Sequence, residues 1–145
     1  MIVDRFAPAA NLDAKRALYP APKTLRRWDE TPARGRFLDA HKVNSHEIDF
    51  WGGDLASTTA KLGYVQSLGA DVLYLNPIHL AYTNHKYDAL DYNQISPEYG
   101  TRDDLKKLAV NLHGRQMKLV LEVSASQRLF GGSEALLQSL FSSQQ

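Results

Sequence analysis

The sequence predicts an α/β fold built from about three parallel strands and two helices, and three observations predict it. Two short apolar runs, Asp71-Val72-Leu73-Tyr74-Leu75-Asn76 and Met117-Lys118-Leu119-Val120-Leu121, have the length and composition of buried strands. Each is preceded by a stretch of helical period that opens on a capping residue. The resulting order is strand, long loop, helix, strand, loop, helix, strand, which calls for parallel strands joined by right-handed crossovers.

Residues 1–6 read as the first strand, Ile2-Val3 running into Asp4-Arg5-Phe6. Residues 7–50 read as a long irregular loop. Pro8, Pro20, Pro22 and Pro32 fix φ and remove backbone donors there, which argues against a long helix or a central strand. Phe50-Trp51-Gly52-Gly53-Asp54 is a turn into the first helix, with Asp54 as its N-cap. Leu55, Thr58, Leu62 and Val65 then share one helical face, and Gly69 is a helix-ending glycine. The second strand closes on Asn76-Pro77, and a polar loop follows to Gly100. Thr101 caps the second helix, with Asp104 in capping-box position. Leu105, Leu108, Ala109 and Leu112 form its buried face, and Gly114 lies near its end. Residues 123–145 are a Ser- and Gln-rich tail of different character, in which 135–141 can form a short helix.

The chain has 145 residues, which suits one domain but not a closed eight-unit barrel of about 250 residues. Hydrophobic residues make up 43% and charged residues 23%, a globular rather than disordered composition. A formal net charge of +1 gives no nucleic-acid footprint. With no cysteine there is no disulfide, thiolate zinc site or cysteine nucleophile. No apolar run reaches the roughly 18–20 residues that span a bilayer. The first five residues lack the pattern of a secretory signal, so the expected location is cytoplasmic.

Parallel α/β folds bind ligands at the C-terminal ends of their strands. The loop from Asn76 to Gly100 leaves such an end and is dense in groups that suit a polyol. Tyr82, Tyr87 and Tyr92 offer flat faces with a polar tip, and His85, Asp88 and Asp91 offer donors and acceptors. On residue pattern alone a polar loop rich in Tyr, Asn and Asp is more often a solvated loop than a binding site.

Several ordered segments carry a resemblance. Phe50-Trp51-Gly52-Gly53-Asp54-Leu55 resembles the aromatic-Gly-Gly-Asp-Leu segment of the α-amylase family of glycoside hydrolases (family 13). Lys61-Leu62-Gly63-Tyr64-Val65 and Leu68-Gly69-Ala70-Asp71-Val72-Leu73-Tyr74-Leu75-Asn76-Pro77-Ile78 resemble the first helix and second strand of that family's barrel. Asn84-His85-Lys86-Tyr87-Asp88-Ala89-Leu90-Asp91-Tyr92 is similar to the loop of cyclomaltodextrinases, neopullulanases and maltodextrin glucosidases. Gly100-Thr101-Arg102-Asp103-Asp104-Leu105-Lys106 matches the start of the second helix. Val3-Asp4-Arg5-Phe6-Ala7 resembles the end of the first strand, and Arg27-Trp28-Asp29-Glu30 resembles the maltodextrin glucosidase branch. The likeness covers about residues 2–122.

The resemblance implies part of a (β/α)8 TIM barrel acting on α-glucans such as maltodextrins with retention, a chemistry that needs two carboxyl groups about 5–5.5 Å apart. The family carries these at its fourth and fifth strands, with a further aspartate after the seventh. None of those positions falls in this chain, so the 145 residues are expected to be catalytically inactive alone. At the third strand the family's asparagine falls on Ser126 and its substrate-binding histidine on Gln127. Tyr87 matches the tyrosine that stacks on the sugar, Asp91 matches a conserved aspartate, and His85 and Asp88 are expected to line the same pocket. The Gly52 carbonyl and Asp54 match part of a calcium site in neopullulanase-like members, with Asn11 and Asp13 as two further donors. Two other readings stand beside this one. The first is a non-catalytic glucan-binding or self-associating module, using Tyr87 and Trp51 or its unpaired strand edges. The second is a small hydrolase using Glu122 and Asp88.

Overall fold

A computed structural model describes residues 1–123. Its strands are β1 (Thr24–Leu25), β2 (Phe37–Leu38), β3 (Val43–Asn44), β4 (Asp49–Phe50), β5 (Val72–Leu75), β6 (His79–Ala81), β7 (Ala89–Ile95) and β8 (Lys118–Leu121). Its α-helices are α1 (Leu55–Ala60), α2 (Leu62–Ser67) and α3 (Arg102–His113). The expected third-strand residues Ser126 and Gln127 and the tail helix at 135–141 lie outside the described residues.

The two apolar runs pair as parallel neighbours, with Val72 opposite Lys118 and Leu75 opposite Leu121. α3 returns the chain between them. The other edge of β5 carries the chain start. The Met1 amino group donates to the Tyr74 carbonyl at 2.8 Å, and the Asn76 amide donates to the Met1 carbonyl at 2.9 Å. That is a parallel ladder step one residue long. The first strand expected at residues 1–6 is therefore corrected to Met1 alone, followed by a 3-10 turn over Val3–Arg5. The turn wins because Asp4 is drawn inward, where its carboxylate accepts from Trp51 N at 2.9 Å and Gly52 N at 2.8 Å.

The glycine pair explains that closure. Gly53 donates to the Asp4 carbonyl at 3.0 Å, and a Cβ there would sit 2.3 Å from the Val3 carbonyl oxygen. Gly52 adopts φ of +77°, which favours glycine.

The first helix is capped as expected: Asp54 Oδ1 accepts from Ser57 N at 2.7 Å. Rather than one continuous helix, it is two pieces meeting at Lys61. Thr58 and Thr59 hydroxyls donate to carbonyls four residues back, at 2.8 and 2.7 Å, a bond that bends helices. The predicted inward face holds, with Leu55, Thr58, Leu62 and Val65 all buried. α3 has the Thr101–Asp104 capping box and buries Leu108 and Leu112. These residues join Leu73, Leu75, Ile78, Tyr99 and Met117 in one apolar core on the helix side of the β5–β8 pair.

The expected polar loop over 77–100 is corrected to a hairpin: β6 and β7 pair antiparallel, with shifts of register on both sides of Leu80. Period-two alternation is weak there, because β7 is half exposed throughout. In the irregular 7–50 segment, β1 pairs with β4 and β2 with β3, each over two residues.

Candidate functional site

The C-terminal ends of β5 and β8 present Asn76 and Glu122 side by side, since Glu122 N donates to the Leu75 carbonyl at 2.9 Å. Tyr87 is brought over them by the tip of the hairpin. Asn76 Nδ2 donates to the Tyr87 hydroxyl at 2.9 Å, and that hydroxyl donates to Glu122 Oε2 at 3.1 Å. Residual burial and the neighbouring carboxylate push the Tyr87 phenol above its usual value. Tyr87 remains 39% exposed, so it offers a platform at the strand mouth.

His85 stacks against Tyr87 with ring centroids 5.5 Å apart and planes 30° from parallel. Its Nδ1 accepts from Tyr87 N at 3.1 Å, which leaves the ring proton on Nε2, 3.4 Å from Glu47 Oε1. Burial would raise the Glu47 carboxyl, but hydrogen bonds from the Asn44 backbone and side chain and from His85 hold it below its usual value.

The loop that carries these two rings is fixed from beneath. Burial alternates from Asn84 to Tyr87, with Asn84 and Lys86 inward and His85 and Tyr87 outward. Asn84 Nδ2 donates to the His46 and Asp49 carbonyls at 2.7 and 2.8 Å. The Tyr99 hydroxyl donates to the Asn84 carbonyl at 2.7 Å. Lys86, fully buried, forms an ion pair with Glu98. Burial pushes the Lys86 ammonium down, against the pull of Glu98. His79 Nε2 donates to the Lys86 carbonyl at 2.8 Å, and burial holds its imidazole below 6.5.

Asp88 is spent inside the hairpin. It accepts from Tyr82 N at 3.0 Å, Thr83 N at 3.1 Å and the Thr83 hydroxyl. Asp91 accepts from Asn93 N at 2.7 Å and Gln94 Nε2 at 2.8 Å, and these bonds hold its carboxyl low. The structure thus brings together Tyr87, His85, Asn76 and Glu122. Asp88 and Asp91 sit within the hairpin with local partners. A cavity of about 490 Å³ behind the loop is lined by His85 together with Arg5, His46, Trp51 and Asn84. Trp51 itself is 5% exposed, with the Arg5 guanidinium 4.0 Å over its ring, so it offers no free face to a sugar.

The expected calcium donors are all engaged by other groups. Lys15 Nζ donates to the Gly52 carbonyl at 3.0 Å and to Asp54 Oδ2 at 3.1 Å. Asn11 Oδ1 accepts from Ala14 N at 3.1 Å, and Asp13 Oδ1 accepts from Arg16 Nη2 at 2.9 Å. As arranged, this set does not fit a cation that needs about six to eight oxygens.

Asn76 was legible only as a strand-end position, and Glu122 as a strand-end carboxylate paired on paper with Asp88 rather than with Tyr87. Asn84 and Lys86 stand in the loop motif, but their inward, supporting roles and the pairing of Lys86 with Glu98 carried no signal, because lysine and glutamate are normally surface residues.

The α-amylase catalytic-domain model matches residues 12–126. The chain belongs to the α-amylase family. It is 45% identical over 74 residues to the intracellular maltogenic amylase of Bacillus subtilis, a match covering 51% of this chain and 13% of that one. It is 36% identical over 107 residues to the α-amylase SusG of Bacteroides thetaiotaomicron, covering 73% and 15%. Among solved structures, it is similar to the cyclic α-maltosyl-(1→6)-maltose hydrolase of Arthrobacter globiformis. There the TM-score is 0.66 at 31% identity, over 86% of this chain and 24% of the other. The type III pullulan hydrolase of Thermococcus kodakarensis gives a TM-score of 0.68 at 30% identity, over 83% and 21%. The chain therefore spans about a quarter or less of each of these proteins. For this α-amylase family member, the β5–α3–β8 unit is part of a (β/α)8 barrel. The family match runs a few residues beyond 122, where the motif likeness stops.

Proposed function

We propose that this chain supplies one wall of an α-glucan site, a maltodextrin-type ligand resting on Tyr87, and that these 145 residues alone bind but do not hydrolyse it. The observation that carries the reading is the exposed Tyr87 ring at the mouth of two parallel strands, with its hydroxyl held between Asn76 and Glu122. A ring fixed at its tip presents its face to the apolar side of a sugar without losing further rotamer freedom. Asn76, Glu122 and His85 stand around it as groups able to meet hydroxyls. The names of the maltogenic amylase and maltosyl-maltose hydrolase relatives support the substrate class. The intracellular relative supports a cytoplasmic setting.

Retaining hydrolysis needs a nucleophile and an acid/base about 5–5.5 Å apart. Glu122 is tied to Tyr87, and Asp88 is buried in hydrogen bonds of its own hairpin, which leaves this pair unsuited to the task. The test is calorimetric titration with maltotriose beside an assay on p-nitrophenyl α-maltoside. Binding at millimolar sugar that is lost in Tyr87→Ala, with no release of nitrophenol, supports the proposal. Absence of binding, or turnover that depends on Tyr87, contradicts it.

A second reading is self-association, favoured by one observation. Val72, Tyr74 and Val120 on the strands are 45%, 48% and 40% exposed on a single face. Two copies can cover that face from each other. A concentration-dependent shift to a dimer on size exclusion supports this, and a monomer throughout the micromolar range contradicts it.

A further inference from the structure

We infer that Lys15 is the resident cation of the Gly52–Asp54 corner, and that this chain folds without calcium there. The corner lies apart from Tyr87 and its partners, so it does not rest on the glucan reading. The corner concentrates negative potential: the Gly52 carbonyl and the Asp54 carboxylate converge on one point. Lys15 Nζ stands at that point, 3.0 Å from the first and 3.1 Å from the second. An ammonium has three donors, and two are used here by acceptors of suitable kind. The side chains are only 13% and 18% exposed, so the pair is partly shielded from water.

The remaining oxygens are engaged as well. Asp54 Oδ1 is occupied by Ser57 N as the helix cap. Asn11 closes its own turn on Ala14. Asp13 faces outward with 85% of its side chain exposed and binds Arg16. A cavity of about 420 Å³ alongside is lined by Asn11, Lys15 and Asp54, so the Lys15 ammonium meets any metal that approaches. Binding calcium would require expelling Lys15 and turning Asp13 away from Arg16. What the ion would do mechanically, the lysine does instead. Lys15 lies in the 3-10 segment Asp13–Leu18 and ties it to the start of α1, across a separation of 39 residues.

The experiment uses the full chain. Thermal melts are recorded in EDTA and in millimolar calcium, with calorimetric titration of calcium chloride, for the wild type, Lys15→Met, Asp54→Asn and the double variant. The wild type is expected to melt identically in both buffers and to give no heat. Lys15→Met is expected to melt lower in EDTA by roughly 3–8 °C. Asn is as good an N-cap as Asp, so Asp54→Asn removes the ion pair while keeping the cap. The double variant is then expected to melt no lower than the weaker single variant, because both remove one interaction. A calcium-dependent rise in the wild-type melting temperature overturns the inference. So does a Lys15→Met variant that melts like the wild type, or a fully additive double variant. Should Lys15→Met not fold, the wild-type calcium titration and the response of Asp54→Asn to salt decide the matter.

Discussion

The two faces of the β5–β8 pair are made of similar residues and meet different fates. On the helix side, Leu73 and Leu75 are 4% and 0% exposed beneath α1, α2 and α3. On the other side, Val72, Tyr74 and Val120 stand 40–48% exposed. Both sides of a barrel strand are written in apolar residues, because in a closed barrel both are covered. Within the described residues only one side finds its cover. The difference teaches that apolar pattern states what a strand can bury, whereas the rest of the chain decides what it does bury. It also locates the candidate site. Alternation along each strand puts Val72, Tyr74 and Asn76 on the open side, opposite Lys118, Val120 and Glu122. The Tyr87 platform therefore stands at the mouth of the uncovered face.

The largest effect is expected from truncating side chains on the two sides of one strand. Leu75→Ala is expected to cost about 3 kcal/mol, the usual loss for a buried leucine. Val72→Ala, three residues earlier, is expected to change stability by no more than about 0.5 kcal/mol. Chemical denaturation of the two variants measures this, and equal losses would erase the distinction between the faces. Next in size is the polar knot that joins the chain start to α1. Asp4→Ala leaves the buried Trp51 and Gly52 amides without their acceptor and is expected to cost about 2 kcal/mol in the same measurement.

A smaller effect separates the buried hairpin base from the exposed tip. Burial holds the folded pKa of His79 below its ordinary 6.5. The unfolded chain then takes up the proton first, so stability falls as pH drops from about 6.5 toward the folded value. It is independent of His79 above that window. Denaturation midpoints across pH 5–8 should show this slope, and His79→Phe should flatten it. The smallest effect on stability belongs to Tyr87→Ala, within about 0.5 kcal/mol for an exposed ring, while the same variant is expected to abolish measurable maltotriose binding. A variant that loses stability and affinity together would mark Tyr87 as a loop anchor instead.

Much of the closed side was legible in the sequence. The Asp54 and Thr101 caps, the Leu55–Val65 face and the two apolar strands follow from local rules that the structure obeys. The motif series was specific enough to identify the family. Three features escaped for physical reasons. Met1 contributes its ladder step through backbone atoms, which leave no side-chain pattern. The β6–β7 hairpin is irregular in register, β6 is only three residues long and β7 is half exposed, so no sustained alternation develops. Lys86 and Glu98 are twelve residues apart and buried as a pair that composition argues against. Of the site, Tyr87 and His85 were named from the motif, whereas their engagement with Asn76 and Glu122 needed the fold. Asp88 is placed by the same fold as a hairpin ligand of Thr83.

The central claim is that the open face, at the Tyr87 mouth, is where an α-glucan rests. The most direct test is a two-dimensional amide NMR spectrum of the full chain titrated with maltotriose. Millimolar-range shifts are expected, confined to the amides of Asn76, of residues 85–88 and of Glu122, with α1 and α3 unmoved and the shifts absent in Tyr87→Ala. Shifts centred on the helix side, or none at saturating sugar, would contradict it.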